Sequence, residues 1–492
     1  MHLTHLTRIP HWLQRGWPLL CAAIAAWLIT AWLTDIRSSE IRGDAVETVR
    51  MAVNLAHHGV ISGEAVDAPR PTMYREPLPA VTGAIAVLAG DALIGRGAAT
   101  DDYLSGPRSR LLKYHNVVWK AGTVAATYWV LLFLAGSHGI TLAGAVLVGT
   151  AQPHVDTVLS EPIAASLLAL GSALLTIGCS RRRWFPMLAA GVVFGLLALT
   201  KAIFLWVFVG LLLCVPLVER FRRESTPWRF VGVELVLLAL GFVAVALPWM
   251  ARNYAHFGTF SLSERAGLIL MYRAVKNRMS SDELRGAFYV WSPPPLSGLM
   301  SALTGFGPED LEAGGPLQRL NHRPSAGFDA SDREAERLGQ PDAAVSYYRK
   351  VRAERVRLRM QFEAAGHPNP FGAADAELRR RALEMLKEQP LRHLAMTVPF
   401  LWRGAALVFP VLLLGLATAA WLRRGDLALF VLPAFGLVLA YGLFSHFERR
   451  YSAPVVPAAV AVGILLLDVA RRLAMVRFAG RAGLAPTSAR SA

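Results

Sequence analysis

The chain has 492 residues, of which 54% are hydrophobic and 17% are charged, and its mean hydropathy is +0.39. A soluble chain usually carries about 25% charged residues, and several apolar runs here approach the roughly 20 residues that a helix needs to cross a membrane. The excess of 51 Lys and Arg over 35 Asp and Glu lies largely in short clusters beside those runs, as in membrane loops, which argues against a nucleic-acid partner. Since no run alternates like a membrane β-strand, an all-α polytopic bundle is predicted.

The first apolar run, 17–34, follows Arg8 and Arg15 and has no clear cleavage site before Asp35. We therefore expect an uncleaved span with the N-terminus in the cytoplasm. It leads into an outer loop, 35–76. The loop contains apolar residues at helical spacing, Val46, Val49, Val53 and Ala56. This pattern predicts an interfacial helix on the outer leaflet.

The next apolar runs raise a problem of parity. They cover 77–95, 115–135, 138–152 and 160–178, and the chain must be inside again at the Arg181 cluster. Together with the first span they would give five crossings, so one run does not span. The alternatives are 77–95 and 138–152. The linker 96–114 is basic and should lie inside, which favours a crossing at 77–95 and a re-entrant 138–152.

The remaining runs alternate regularly between the two sides. Spans are predicted at 184–200, 202–218, 230–249, 404–421, 426–445 and 453–470, which brings the total to about ten. The predicted organisation is an N-terminal bundle (1–250), an outer-face segment (251–395), C-terminal spans (396–475) and a cytoplasmic tail (476–492).

Four acidic residues lie near predicted span ends on the outer side, Asp44, Glu76, Asp156 and Glu161. Charge at membrane depth is costly, so such residues are functional candidates. Structural roles remain open. Asp44 and Glu47 have the spacing of a helix capping box, and Glu161 with Pro162 is a common helix start.

Basic candidates occur on the same predicted side, namely Arg75, Lys201, Arg252 and Arg450. Their structural alternatives are an interfacial anchor for Arg75, a snorkelling Lys201 and an aromatic belt around Arg252. Arg450 has Glu448 as a close acidic neighbour in the sequence.

Acids and cations on one side suit transfer from a phosphate-linked donor. A carboxylate removes a proton from an acceptor hydroxyl, and Arg or Lys neutralises the departing phosphate. A transporter or flippase of an anionic lipid-linked sugar would need similar cations without a base. A structural subunit without chemistry is a third interpretation.

Short motifs in a characteristic order resemble the C-type superfamily of membrane glycosyltransferases, which use polyprenyl-phosphate sugars. In chain order the matching stretches are Gly43-Asp44-Ala45, Ala52-Val53-Asn54-Leu55, Gly59, Tyr74-Arg75-Glu76-Pro77-Leu78-Pro79, Leu159-Ser160-Glu161-Pro162, Leu199-Thr200-Lys201, Pro248-Trp249, Arg252-Asn253-Tyr254, Gly258, Arg450-Tyr451, Pro454 and Pro457. The families most similar contain protein O-mannosyltransferases and the lipid A aminoarabinose and galacturonic acid transferases. The match is weakest at 263–370.

The resemblance implies roles for individual residues. Asp44 matches the catalytic base, and Glu161 an acidic position before proline that makes it the second candidate catalytic residue. Lys201, Arg450 and Tyr451 match positions near the donor phosphate.

In the Arg75-Glu76 pair the order of charges is reversed relative to aminoarabinose transferases, which shifts the expected phosphate contact to Arg75 and leaves Glu76 a lesser candidate.

The resemblance further implies inversion at the sugar carbon, a periplasmic active site in a bacterial inner membrane, and a lipid, glycan or protein acceptor. It leaves metal dependence open. Some relatives use a divalent ion, but the first outer loop has no Asp-x-Asp motif.

Overall fold

The computed structural model describes residues 21–30, 36–66, 68–97, 99–151, 155–221 and 227–481, with backbone alone for 476–481. Part of the first predicted span, the Arg222 and Arg223 cluster and most of the predicted tail therefore lie outside the described residues. The described α-helices are α1 Cys21–Thr30, α2 Asp44–His58, α3 Leu78–Ile94, α4 Gly106–Ala135, α5 His138–Ala151, α6 Glu161–Arg181, α7 Trp184–Thr200, α8 Ile203–Phe221, α9 Trp228–Phe257, α10 Ala266–Ala274, α11 Ser281–Val290, α12 Ser297–Thr304, α13 Asp329–Leu338, α14 Tyr347–Ala364, α15 Pro370–Glu388, α16 Pro390–Ala405, α17 Val408–Trp421, α18 Gly425–Phe444 and α19 Val456–Arg481.

The described residues form helices and no strand, as predicted; one isolated β-bridge joins Glu40 and Ser105. Six helical segments are long and apolar enough to cross a membrane: α4, α6, α8, α9, α18 and Arg449–Met475, which includes most of α19. The bent pair α16 and α17, at 106°, makes a seventh if it counts as one span. Because α1, α3, α5 and α7 are shorter apolar helices, the total of about ten spans stays a prediction.

Basic clusters gather at one end of the bundle. Arg424 donates to the carbonyl of Leu134 at 3.0 Å, and Arg472 donates to that of Ala135 at 3.1 Å. Arg181 lies over the ring of Phe133 at the same level. Clusters from α6, α18 and α19 therefore face the same side, as the positive-inside bias requires.

The segment between α1 and α4 leaves and re-enters the bundle at one place. Glu40 pairs with Ser105 in the isolated bridge, and Lys113 in α4 donates to the carbonyl of Ser38 at 2.7 Å. Both ends of this segment therefore lie at the same level, opposite the basic clusters.

Within that segment, α3 runs alongside α2 in the same direction. Arg75, just before α3, contacts Glu47 near the start of α2 at 2.5 Å, and Asp91 near the end of α3 contacts His57 near the end of α2 at 2.8 Å. Between them Gly83 lies against Ala52. A crossing by α3 would carry the charged helix α2 across with it. These contacts favour the other alternative, in which 77–95 rather than 138–152 is the run that does not span.

Helix α5 would make the crossing that this alternative requires. It starts beside the C-terminal end of α4, where His138 contacts Tyr128 at 2.9 Å. Beyond its other end the chain reaches Asp156, which accepts from Lys113 at 3.1 Å. The expected re-entrant 138–152 thus connects the two ends of the bundle.

The outer segment, α10 to α15, packs onto the end of the bundle opposite the basic clusters. Arg273 of α10 is fully buried and donates to the carbonyls of Gly442 at 3.0 Å and His393 at 2.7 Å. Asp375 of α15 accepts the amides of Gly267 and Leu268 at 2.8 Å, which satisfies the first turn of α10. This arrangement fixes the residues just before α10 against the membrane helices.

Candidate active site

The predicted site residues that come together sit at breaks in helices. Asp44 begins α2, and Glu161 begins α6 with Pro162 in its first turn. Lys201 is the extended residue between α7 and α8, as its position in an apolar stretch predicts. Arg450 lies in a 3₁₀ helix, Arg449–Val455, that precedes α19. Breaks of this kind bring charged side chains to the ends of apolar helices.

Asp44 owes its direction to the residue before it. Gly43 has φ 62° and ψ −135°, a conformation open essentially to glycine alone, and it turns the chain sharply into α2. No side chain caps this helix, so the capping-box role considered for Asp44 and Glu47 is wrong. The Asp44 carboxylate instead forms an ion pair with Arg450 and lies 3.9 Å from Arg75.

The environment keeps Asp44 ionised. Burial by itself would raise the pKa of Asp44, but Arg450, then Arg75 and Arg265, outweigh it and hold the pKa below the ordinary value. The carboxylate is therefore charged at neutral pH and can accept a hydrogen bond from a hydroxyl.

Lys201 and Glu161 form a second ion pair, with Nζ 3.0 Å from Oε1. Glu161 is 3% exposed, and its Oε2 has no hydrogen-bond partner among the described residues. Lys201 also lies 5.1 Å from the centre of the Tyr451 ring, within cation–π range. The pair joins α6 to the turn between α7 and α8.

Glu448 contacts Arg450 directly and Tyr451 through His446. Its carboxylate lies 3.5 Å from Arg450 Nε and 3.4 Å from His446 Nε2, and the Tyr451 hydroxyl lies 3.3 Å from the same imidazole nitrogen. Burial lowers the pKa of His446 to about 4 despite the contact with Glu448, so the imidazole is neutral at pH 7.

A large cavity of about 800 Å³ opens beside these pairs. Its described lining is mostly apolar and comes from α2, α3, α6, α8, α10, α15 and α18. Three of its lining side chains, Trp206, Leu383 and Phe444, are substantially exposed on the outside of the bundle. We call it the apolar cavity; Lys201, Glu161 and Arg379 line it as well.

A smaller cavity of about 240 Å³ adjoins the first and is almost wholly polar. We call it the polar cavity. Its described lining includes Tyr272, Tyr348, Arg352, Arg355 and Glu448. The residues that line both cavities are Asp44, Arg75, Arg265, Ile269, Arg450 and Tyr451. Asp44 thus lies at the junction between an apolar and a polar compartment.

Arg265, the residue before α10, was not predicted from the sequence. It lines both cavities, lies 5.2 Å from the centre of the Tyr74 ring, and has no ion-pair or hydrogen-bond partner among the described residues. Its only signal in the sequence is a lone Arg in the weakly matching outer segment. Arg379, which lines the apolar cavity, was not predicted either, because it stands in the run Arg379-Arg380-Arg381 of a charged helix, where no single arginine is distinguished.

Two of the predicted site residues lie away from the cavities. Asp156 pairs with Lys113 and also accepts the amide of Ser38, and it lines neither cavity. Arg252 donates to the carbonyl of Thr72 at 3.0 Å, again outside both cavities. These two residues hold loops in place.

Glu76 does line the apolar cavity, but its carboxylate accepts the amide of Ala202 at 3.0 Å and the hydroxyl of Ser263 at 3.1 Å. It thereby ties the start of α3 to the turn before α8.

The donor set at the junction does not fit a metal centre. Asp44 is paired with Arg450, Glu47 with Arg75, and Glu448 with Arg450 and His446. Within the described ranges, no group of three or more His, Cys, Asp or Glu side chains is arranged to hold a metal ion.

No protein-family model and no curated protein matches the chain. Among solved structures, the archaeal oligosaccharyltransferase AglB from Archaeoglobus fulgidus, in complex with an inhibitory peptide and a dolichol-phosphate, is similar with a TM-score of 0.48 and 13% identity over 98% of this chain. ArnT from Cupriavidus metallidurans, bound to undecaprenyl phosphate, is similar with a TM-score of 0.37 and 14% identity over 91% of this chain and 78% of its own.

This chain spans about half the length of AglB, since the match covers 53% of that protein. Because both TM-scores lie below 0.5, what this chain does is inferred below from its own residues.

Proposed function

We propose that this chain is a membrane glycosyltransferase that moves a sugar from a polyprenyl-phosphate donor to an acceptor hydroxyl. The observation that carries the proposal is the position of Asp44, at the junction of an apolar and a polar cavity and beside several cations. A lipid-linked sugar has the same division into an apolar tail, a phosphate and a polar sugar.

The apolar cavity suits the polyprenyl tail. Its exposed rim residues are apolar: Trp206 at 62% and Phe444 at 42% lie on the candidate membrane spans α8 and α18, and Leu383 at 43% lies on α15 of the outer segment. A tail could reach the cavity sideways from the bilayer without leaving an apolar environment. Arg379 on the same rim offers a positive charge at the level of lipid headgroups.

The donor phosphate suits the region where Lys201, Arg265 and Arg450 line the apolar cavity. Arg265 has no anionic partner within ion-pair distance among the described residues, and a charge that is largely enclosed by protein is stabilised by a counter-ion. Guanidinium groups bind phosphate oxygens with two parallel hydrogen bonds, which also fixes the orientation of the phosphate.

The proposed reaction is a single displacement. The acceptor hydroxyl gives its proton to the Asp44 carboxylate as its oxygen attacks the anomeric carbon, and a new carbon–oxygen bond forms there. The bond from that carbon to the phosphate oxygen breaks, and its electron pair leaves with the polyprenyl phosphate. Lys201, Arg265 and Arg450 neutralise the charge that develops. A direct displacement inverts the sugar carbon.

Arg450 couples the donor site to the base. In the free protein it pairs with Asp44 and keeps the pKa of that carboxyl below its ordinary value, against the effect of burial. A phosphate bound beside Arg450 would compete with Asp44 for the guanidinium. The carboxylate would then become a stronger base only when the donor is present.

In this scheme Glu161 acts on Lys201. Its carboxylate is buried and paired with the Lys201 ammonium group, so it would influence the junction of the two cavities through Lys201. This suits a positioning role more than the direct catalytic role expected from the sequence.

The decisive experiment compares Asp44→Asn with the matched control Asp101→Asn. Asp101 lies in the same segment between α1 and α4 as Asp44, and it pairs with Arg50 outside both cavities. Purified protein is incubated with polyprenyl-phosphate sugars and membrane acceptors, and release of free polyprenyl phosphate is measured. We expect Asp44→Asn to lower the rate by about 10²–10⁴, the usual contribution of a general base, and Asp101→Asn to leave it unchanged.

Near-normal release by Asp44→Asn would exclude this residue as the base. Movement of the intact donor across the membrane without release would favour a transporter. The periplasmic location, the bacterial inner membrane and the choice among lipid, glycan and protein acceptors are parts of the proposal. Mass analysis of envelope lipids and glycans from a deletion strain tests the acceptor.

A further inference from the structure

One wall of the polar cavity is formed by a single face of α14. Tyr348, Arg352 and Arg355 all line the cavity. Their spacing of four and three residues places them on one side of the helix, so they face the cavity together.

The cavity carries an excess of positive charge. Its described lining holds five arginines (Arg75, Arg265, Arg352, Arg355 and Arg450) against three carboxylates (Asp44, Glu47 and Glu448). Arg75 and Arg450 are paired with lining acids, and Arg352 is paired with Glu336 of α13. His446 also lines the cavity, but it is neutral at pH 7 and contributes no charge.

Arg355 is the wall residue without an acidic partner. Its Nη1 donates to the Tyr74 hydroxyl at 3.0 Å, and no carboxylate lies within ion-pair distance of it in the part of the chain that the structure describes. The nearby Asp375 is occupied by the amides that start α10. Burial would raise the pKa of Tyr74, but Arg265 and Arg355 outweigh it and lower the pKa, a sign of the local positive potential.

The donor phosphate does not use this charge. In the function proposed above the phosphate lies beside Lys201, Arg265 and Arg450, where the two cavities meet, whereas Arg352 and Arg355 line the polar cavity alone. Tyr74 stands between the two regions, with Arg265 at 5.2 Å and Arg355 at 5.7 Å from its ring centre.

We propose that the α14 wall, formed by Tyr348, Arg352 and Arg355, binds a second anionic group, a carboxylate or phosphate carried by the transferred sugar or by the acceptor. The inference rests on the proposed glycosyltransferase function and narrows its substrate class. A guanidinium with free donors in a polar cavity recognises planar carboxylates and phosphates by paired hydrogen bonds. Neutral sugars offer such a wall no charge.

A binding experiment tests the wall without any transfer reaction. The full-length purified protein is titrated with glucuronate and, separately, with methyl glucoside. We expect glucuronate to bind at least ten-fold more tightly, and Arg355→Gln to abolish that preference. The matched control is Arg359→Gln, one turn further along α14, where the guanidinium lies over Phe371 outside both cavities.

A transfer experiment identifies the source of the anion. If the sugar carries it, Arg355→Gln lowers kcat/KM at least ten-fold for a polyprenyl-phosphate uronic acid but leaves the matching neutral hexose donor unchanged. If the acceptor carries it, the loss follows phosphorylated acceptors whichever donor is used. Equal binding of glucuronate and methyl glucoside by the unaltered protein, or a preference that survives Arg355→Gln, overturns the proposal. Absence of transfer with every donor would instead count against the proposed function, because the titration still reports on the wall.

Discussion

At the scale of single residues, variants of the Lys201–Glu161 pair allow effects on stability and on function to be measured separately. The pair is buried, with Glu161 at 3% exposure, and its ammonium group lines the apolar cavity. Removing one partner of a buried ion pair leaves an uncompensated charge, which typically costs about 3–5 kcal/mol of folding free energy. Replacing both partners by neutral groups of similar size costs far less.

We therefore predict a characteristic pattern in three variants. Lys201→Met should lower both stability and activity, because it leaves Glu161 alone and removes a phosphate partner. Lys201→Met combined with Glu161→Gln should recover most of the stability, since no charge is left unpaired, but none of the activity. Thermal unfolding in detergent and release of polyprenyl phosphate measure the two effects.

The single variant Glu161→Gln tests the positioning role. It should keep the ammonium group available for phosphate and therefore retain more activity than Lys201→Met. Recovered activity in the double variant would show that Lys201 serves the fold alone.

The residues of the site differ in how far sequence could predict them. Glu161, Lys201 and Arg450 were predicted because each interrupts or borders an apolar run, where a charge is visible in the sequence, and Asp44 because it stands at the start of the predicted interfacial helix. Asp156 and Arg252 border such runs too, yet they pair with Lys113 and the carbonyl of Thr72. A shared side of the membrane does not imply a shared site.

Arg265 and Arg355 could not be found in this way. Both lie in a polar segment where an arginine is unremarkable, and they reach the cavities only because α10 and α14 pack onto the bundle. Which face of α14 turns inward depends on contacts with residues far away in the sequence, such as Arg355 with Tyr74.

At the scale of elements, close packing between α7 and α9 holds the Lys201 turn in place. A Cβ on Gly191 would lie 2.2 Å from the carbonyl oxygen of Leu238, and one on Gly241 would lie 2.3 Å from that of Leu188. Small residues allow membrane helices to approach until their backbones touch, where packing drives association. Because Lys201 directly follows α7, the position of that helix determines the position of the cation.

A single methyl group tests this packing. Gly191→Ala should force α7 and α9 apart and lower stability by about 1–3 kcal/mol, the usual cost of overpacking. The matched control is Gly232→Ala in α9, whose added Cβ would meet nothing within 4 Å. There, higher helix propensity should leave stability equal or slightly raised. Thermal unfolding of the two variants side by side gives the comparison, and equal stabilities would contradict a close α7–α9 contact.

The predicted crossing at 77–95 depends on the basic residues of 96–114, which on their own favour the inside. In the structure Lys113 is compensated by Asp156, and Arg108 donates to the carbonyl of Gly95 at 2.9 Å. The segment also holds Asp101, which pairs with Arg50 of α2. The net charge that the segment presents is therefore smaller than the number of its basic residues suggests.

At the scale of the whole molecule, the arrangement has two distinct ends. Basic clusters that contact Leu134 and Ala135 mark one end. The two cavities and the outer segment mark the other. If the basic end is cytoplasmic, the proposed glycosyltransferase would bind its proposed donor and acceptor on the opposite face.

This arrangement predicts which loops are accessible from each side. Ala99, in the segment before α4, should lie on the face of the cavities, and Gly139, at the start of α5, on the basic face. The topology predicted from the sequence gives the reverse for both. Both positions are exposed, and a side chain at Gly139 meets nothing within 4 Å, so a cysteine is tolerated at each.

Labelling with a membrane-impermeant maleimide distinguishes the two topologies. In a background where Cys21, Cys179 and Cys214 are replaced by serine, Ala99→Cys should react in intact spheroplasts, whereas Gly139→Cys should react only after permeabilisation. Val66→Cys, in the exposed loop between α2 and α3, gives the reference for the outer face in either topology. If Gly139→Cys reacted in intact spheroplasts and Ala99→Cys did not, α3 would cross the membrane and α5 would not. The parallel contacts of α2 with α3 would then be incompatible with the protein in its membrane.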